Sequence, residues 1–513
     1  MEEKQTKKNS NSITINYKRI IKHISVFLIF AFATFLFLLK SPSHIWVNSE
    51  PFTDSNVFRT VAFEMKDGAV PYKDTFDHKG PLTYFINYIA FIINPQNGIF
   101  YIELITIFFI FVFLYTIARL KCNSFFSVAA SFIAFAPLFT FFEGGNFTEE
   151  FALPFILLSL FIFLDYFLND KISRLRLILC GLSLGAVLML RPNLIALWIV
   201  FCIAVLIKCI VNKKASYLKN FIINFVVGLL IIILPFIIWL GVKGALSDFW
   251  NAYIKFNLTY TSETTLNATI KEAKINSFFA FYNSTLFIIA TLVLIYDLKA
   301  RKSSIDIYCL TFLFLDFILA SMSGYTYGHY GITLIASIVY PISLMFGLCE
   351  ELEKKNKSNE IISLIVLIYL LATIVVPDWL ALMQASPHMV NKDKQEIITS
   401  DEAFAIRDVV QRNSSKDDKI SVFGNWDFIY LFAQRHHATK YSYQFPIGEV
   451  NSDIFDEYFD QLKKELPKII VIQYTRLSNR MDAFLAQNNY SLIYQSSSSL
   501  SNSHLVYALD EWL

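Results

Sequence analysis

Charge is scarce in this sequence. Only 17% of its 513 residues are charged, while 55% are hydrophobic and 51 are phenylalanine. That balance excludes an ordinary soluble enzyme and implies a mainly α, polytopic membrane protein. The 44 basic and 42 acidic residues leave a net charge of +2, which gives no basis for a nucleic-acid partner, and none is expected. Cysteine is sparse as well. Cys122, Cys180, Cys202, Cys209, Cys309 and Cys349 fall in apolar segments or at their inner ends, so neither disulfides nor a thiolate metal site is expected. Internal repeats and low-complexity tracts are missing. No small-residue cleavage site follows the first apolar segment, where the chain reads SPSHIWVNSE, so that segment is expected to remain as an anchor.

Long apolar runs are what the sequence has in plenty. A membrane span needs about 20 apolar residues, and eleven candidates meet or approach this: 23–40, 99–118, 124–142, 150–168, 175–190, 193–211, 220–241, 278–296, 304–322, 330–349 and 361–377. The run 82–93 is too short and reads as an interfacial or re-entrant helix. The distribution of Lys and Arg orients the spans. With Lys4, Lys7, Lys8, Lys18, Arg19 and Lys22 inside, the basic residues at 119–121, 171–176, 208–219, 299–302 and 354–357 also fall inside. The outer loops 143–149 and 323–329 contain no Lys or Arg.

The expected organisation is a cytoplasmic tail (1–22), a transmembrane domain (23–377) with a first outer loop at 41–98, and a small extracytoplasmic domain (378–513). In the last part, KISVFG, KIIVIQY, YSLIYQ and HLVYAL read as strands alternating with helical patterns at 452–466 and 476–487, which predicts an α/β unit. Gly424 follows the first strand but is a single glycine and makes no phosphate loop. The segment 247–260 is amphipathic and aromatic and is expected at the membrane interface.

Four polar clusters fall on the same predicted outer face. The loop 51–92 carries Asp54, Arg59, Asp77, His78 and Lys79. Carboxylates suit a general base or a divalent metal, and Lys and Arg suit a phosphate. EGGNFTEE places Glu143, Asn146, Glu149 and Glu150 at a span end. Helix capping from Thr148 and the helix dipole account for one of these acids. Arg191 in RPN either binds an anion or snorkels at a helix end. In SGYTYGHYG, Tyr325, Tyr327, His329 and Tyr330 suit either an interfacial aromatic belt or a phosphate and sugar contact.

Acids, cations and a histidine at an apolar–aqueous boundary suit a ligand with an apolar tail and a charged head. Asp54-x4-Arg59, G-x-x-P-Y at 68–72 and Lys79-x-Pro-Leu before a short helix resemble the C-fold (GT-C) membrane glycosyltransferases, in particular the protein O-mannosyltransferase and aminoarabinose-transferase superfamily. The likeness covers the membrane region in layout, whereas its motifs are confined to the four clusters. It implies Asp54 as an essential acid and Glu149 or Glu150 as an assisting acid. It also implies Lys79 as the contact to a lipid phosphate. The aminoarabinose branch has glutamate immediately before that lysine, where this chain has His78, and this departure leaves the role of Asp77 open.

The function expected from this resemblance is an inverting glycosyl transfer from a polyprenyl-phosphate sugar donor to an envelope glycan, lipid or protein acceptor at the outer face of the plasma membrane. Asp54, Glu149, Glu150 and Asp77 are the catalytic candidates. Lys79, Arg59, Arg191, His329 and Tyr330 are the phosphate-binding candidates, and His78, Asn146 and Tyr327 the other substrate contacts. A divalent cation, Mg2+ or Mn2+, is a candidate cofactor on Asp54 and Glu150. The alternative is a transporter or flippase for a lipid-linked or polar solute, which calls for repeats or charges at the bilayer midplane. Asp316 and Glu103 are the main charges inside the spans. A noncatalytic envelope scaffold is a third reading, disfavoured by the clustered acids.

Overall fold

Apolar runs become helices along most of the first 390 residues. The computed structural model of the chain describes residues 17–259, 284–322, 327–355, 358–392, 396–473, 476, 478–496 and 504–512. Tyr325 and the start of the expected span 278–296 lie outside the described residues. Among those described, eight helices are long and apolar enough to cross a membrane: Ile20–Lys40, Gly98–Ala118, Ser124–Phe141, Thr148–Asn169, Ala215–Val242, Ser304–Ser321, Leu334–Lys354 and Glu360–Met389. The expected total of eleven is therefore not confirmed. Arg174–Leu188 and Ala196–Val211 have only 15 and 16 residues, and Ser284–Arg301 ends in Asp297, Lys299 and Arg301.

The protein is an integral membrane protein, and the outer surface of Ala215–Val242 explains why in physical terms. Ile222, Ile223, Ile231, Ile238 and Val242 are all exposed, an apolar area that water would not tolerate on a soluble monomer. The opposite face packs closely against Arg174–Leu188. A Cβ on Gly181 would lie 1.8 Å from the Phe225 carbonyl oxygen, and one on Gly228 2.0 Å from that of Ile178. Such small-residue contacts hold helices together where lipid removes the hydrophobic drive.

The short helix Pro81–Ile93 begins at its proline, as the sequence predicts. The last long helix continues from Ser358 through a wide turn at Leu371–Val375 to Met389. The composition change at 377–378 thus falls inside a helix.

Beyond it lies a four-stranded mixed sheet: β1 (Ile420–Phe423), β2 (Ile469–Gln473), β3 (Tyr490–Gln495) and β4 (His504–Leu509), in the order β1-β2-β4-β3. β1 and β2 are parallel, while β4 is antiparallel to both its neighbours. Asp453–Glu465 and Asn479–Gln487 are the intervening helices.

The sheet unit rests on the segment 41–98. Val57, Phe58, Tyr72 and Tyr84 share one buried core with Tyr253, Phe256, Tyr443 and Tyr458. Polar contacts fix the same junction: Trp426 Nε1 donates to Glu50 (2.9 Å), and the His437 backbone N–H donates to Glu64 (3.2 Å).

Candidate active site

A cavity of about 750 Å3 opens where these parts meet. Its wall includes Asp54, Asp77, His78 and Lys79 from the segment 41–98, and Arg191 and Asn193 from the RPN turn. Tyr327, His329 and Tyr330 close another side. Eight of the twelve residues singled out in the sequence therefore face one space; Arg59, Asn146, Glu149 and Glu150 do not.

Backbone pairing brings the two cationic segments together. Gly80 N–H donates to the Leu190 carbonyl and Leu82 N–H to that of Met189, each at 3.0 Å. A Cβ on Gly80 would lie 2.1 Å from the Met189 carbonyl oxygen, so the approach requires glycine. Lys79 precedes this glycine and Arg191 follows Leu190.

The Asp77-His78-Lys79 run is held from several directions. Asp77 is buried, with Oδ2 accepting from Tyr84 (2.8 Å) and Oδ1 from Tyr443 (2.8 Å). Tyr84 also accepts the Lys79 backbone N–H at 3.0 Å. Lys79 Nζ donates to His78 Nε2 at 3.0 Å. Burial, followed by the Lys79 charge, drives the His78 pKa down to about 3, so the imidazole is neutral and accepts this proton. Lys79 has no carboxylate within ion-pair distance among the described residues.

Asp54 differs from Asp77. It occupies the first turn of Thr53–Lys66, where the helix dipole favours a carboxylate. It is partly exposed at the cavity wall, and no hydrogen bond or ion pair engages its carboxylate among the described residues.

The EGGN turn is structural in the way it folds. Glu143, Gly144, Gly145 and Asn146 have φ values of 43°, 94°, 81° and 61°, four successive left-handed residues of which three are Gly or Asn, the types that tolerate this best. The turn aims Glu143 at the GHYG segment. Its carboxylate accepts the backbone N–H groups of Gly328 (3.0 Å) and His329 (3.1 Å) and the His329 ring Nδ1 (2.9 Å). The His329 ring stacks on Phe147 with centroids 4.1 Å apart.

The neighbouring acids are committed to partners. Glu149 is buried and ion-paired with Arg191, whose guanidinium lies 4.1 Å from the centre of the Tyr330 ring. Glu150 Oε2 accepts the Asn146 N–H at 2.8 Å, the backward reach of a capping acid. Asn146 itself donates to Ser55 and Asn87 at 2.8 and 2.9 Å. Phe147 occupies the N-cap position expected for Thr148, and the Thr148 hydroxyl donates to Glu149 instead (2.7 Å). Arg59 donates to the Pro95 carbonyl at 3.0 Å, outside the cavity wall.

The expected metal pair is not assembled, because Asp54 lines the cavity while Glu150 is buried on the Asn146 backbone. No group of three or more His, Cys, Asp or Glu suited to a metal occurs among the described residues. These side chains do not fit a cation held by Asp54 and Glu150 together.

Sequence reasoning missed the wall built by residues 425–447 and by 253–258. Asn425, Tyr443, Pro446 and Ile447 face the cavity from the sheet unit, and Tyr253 and Asn257 face it from the segment expected at the interface. The glycine after β1 and the aromatic run YSYQF (441–445) were the available signals.

Asp427, just behind this wall, is buried beside Ser442 and within reach of the Asp77 charge. Burial and then the nearby Asp77 charge raise its pKa to about 7. The native state thus holds a proton that the unfolded chain releases near pH 4, and stability falls as pH rises from about 4 to 7. Asp427→Asn is expected to raise the thermal midpoint at pH 8 and to change it little at pH 4. Equal shifts at both values would contradict the assignment.

The architecture and the cavity at the junction of membrane helices, the segment 41–98 and the sheet unit define the class: the chain has the GT-C membrane glycosyltransferase fold. It belongs to the Competence-induced Ccs4 N-terminal domain family, whose model matches residues 14–360. ArnT from Cupriavidus metallidurans in the apo state superimposes with a TM-score of 0.58 at 10% identity, covering 96% of this chain and 98% of that one. The same protein bound to undecaprenyl phosphate gives 0.54 at 10% identity, with 95% and 98% covered. Archaeal oligosaccharyltransferase AglB from Archaeoglobus fulgidus, in complex with an inhibitory peptide and a dolichol-phosphate, gives 0.51 at 13% identity, with 97% and 75% covered. At these identities the likeness is one of fold. A comparison with curated proteins finds no match.

Proposed function

We propose that this protein is an inverting glycosyltransferase that moves a sugar from a polyprenyl-phosphate carrier to a cell-envelope acceptor at the extracytoplasmic face. The observation that carries this reading is the presence, in one cavity, of Asp54, whose carboxylate no described residue engages, and of Lys79, which no described carboxylate pairs, beside Arg191. The bound lipid phosphates in ArnT and AglB, proteins of the same fold, support it. So does the charge bias that places the cavity outside.

In this reading Asp54 accepts the proton of an acceptor hydroxyl as its oxygen attacks the sugar C1. The bond from C1 to the phosphate oxygen breaks from the opposite side, which inverts the anomeric centre. Lys79 and Arg191 stabilise the charge on the departing lipid phosphate. Glu149 orients Arg191, and Asp77 fixes the loop that carries Lys79. Glu143 fixes His329 and Tyr330 at the mouth. A divalent cation entering the cavity would meet Asp54, whose carboxylate no hydrogen bond or ion pair engages among the described residues. The membrane helices, through Met389, are assigned the catalytic role, and the α/β unit that follows them is assigned to the extracytoplasmic side, where it completes the site.

Mass spectrometry of envelope glycans from cells with and without the protein tests this function. A sugar substituent lost on deletion and restored by the wild-type gene is the expected result. Unchanged glycans, with a polar or lipid-linked solute accumulating on one side of the membrane, would favour the transporter.

A further inference from the structure

The cavity has two chemically different sides. Its cations come from the membrane-proximal segments: Lys79 from the segment 41–98 and Arg191 from the RPN turn. The sheet unit contributes four residues, Asn425, Tyr443, Pro446 and Ile447, and none of them is charged. One amide, one phenol and two apolar side chains make a poor anion site. They suit a neutral ring bearing hydroxyl groups, with apolar faces to pack and hydroxyls to hydrogen-bond.

Asn425 is presented firmly. Gly424 N–H donates to Gln444 Oε1 (3.0 Å), and Gln444 N–H returns to the Gly424 carbonyl (3.1 Å). On the other side, Trp426 is tied to Glu50. A Cβ on Gly424 would lie 2.9 Å from the Gln473 side chain, so the turn after β1 is packed against β2. Despite this fixed backbone, Asn425 Oδ1 is shielded from solvent and has no hydrogen-bond partner among the described residues. A buried acceptor left open is costly unless a ligand donor meets it. Tyr443 next to it already spends its hydroxyl on Asp77, which leaves Asn425 as the polar group of this wall with bonding capacity to spare.

We infer that Asn425 accepts a hydrogen bond from a hydroxyl of the sugar on the lipid donor, so that the sheet unit forms the sugar-selecting wall of the cavity. This rests on the glycosyltransferase reading and assigns a task to a part of the chain outside the matched family domain. An acceptor glycan offers the same hydroxyl chemistry, and the two sources separate in a binding experiment without acceptor.

The full-length protein in lipid nanodiscs is titrated with undecaprenyl phosphate and with its glucosyl, mannosyl and N-acetylglucosaminyl derivatives. The wild type is expected to bind at least one sugar-bearing lipid about tenfold more tightly than undecaprenyl phosphate, the scale of one buried hydrogen bond. Asn425→Ala should abolish that preference and leave undecaprenyl phosphate binding within about twofold, since no ligand donor is lost from the phosphate side. Lys79→Ala should weaken both ligands together. Asn425→Leu, which keeps the number and branching of the side-chain heavy atoms, should behave as Asn425→Ala does, and an unchanged thermal midpoint for either variant separates recognition from folding. An intact sugar preference in both Asn425 variants would overturn the inference, as would an equal loss for bare and sugar-bearing lipid. A wild type that binds every lipid equally would overturn it as well, with the phosphate reading standing. Wild type binding none of the lipids would instead overturn the glycosyltransferase reading on which it rests.

Discussion

Asp54→Asn is expected to lower glycan transfer by a factor of about 100 or more, the scale of losing a general base. The substitution keeps size and hydrogen-bonding ability and removes the negative charge. It should leave the amount of folded protein almost unchanged, because no hydrogen bond or ion pair engages the Asp54 carboxylate among the described residues. Asp77 is the instructive contrast. Its two oxygens are taken by Tyr84 and Tyr443, so Asp77→Asn is a change to the framework and should reduce thermal stability along with activity. Normal transfer by well-expressed Asp54→Asn would remove Asp54 from the mechanism.

Lys79→Ala should raise the concentration of polyprenyl-phosphate sugar needed for half-maximal transfer by roughly ten- to a hundredfold, from about 1.5–3 kcal/mol for one charged hydrogen bond. Free polyprenyl phosphate should inhibit the wild type by competing for the same contact and should inhibit the variant less. Arg191→Ala should act in the same direction and also cost stability, since it strands the buried Glu149 carboxylate. Equal inhibition of wild type and Lys79→Ala by polyprenyl phosphate would show that Lys79 does not meet the phosphate.

The fold was legible in the sequence wherever one local pattern governs. Apolar length marks the helices, and short apolar runs mark all four strands within a residue or two. The number of spans is less legible where helices are short, as at Arg174–Leu188, and a boundary is missed where a helix carries on through a change in composition, as at Val376–Met389. Helical hydrogen bonds are indifferent to whether lipid or water surrounds them, so composition alone does not end a helix.

The site was legible as a set of residue types and less so as a set of roles. Glu149 and Glu150 read as active-site acids because acids beside a membrane are costly. In the structure that cost is offset by Arg191 and by the Asn146 N–H, partners that one-dimensional spacing does not reveal. The wall around Asn425 was invisible for the opposite reason: an asparagine after a strand is ordinary until tertiary docking turns it towards Lys79 and Arg191. The single glycine there does no phosphate binding; it lets the turn pack on Gln473.

The most direct test of the account reads the fate of the bond between sugar and phosphate. Purified protein in vesicles is given a polyprenyl-phosphate-linked sugar and an envelope extract as acceptor, and free polyprenyl phosphate is measured against sugar transferred. The account predicts release of one polyprenyl phosphate for each sugar transferred by the wild type, and a loss of both signals together in Asp54→Asn. Movement of the intact donor across the vesicle membrane, with no polyprenyl phosphate released, would contradict it.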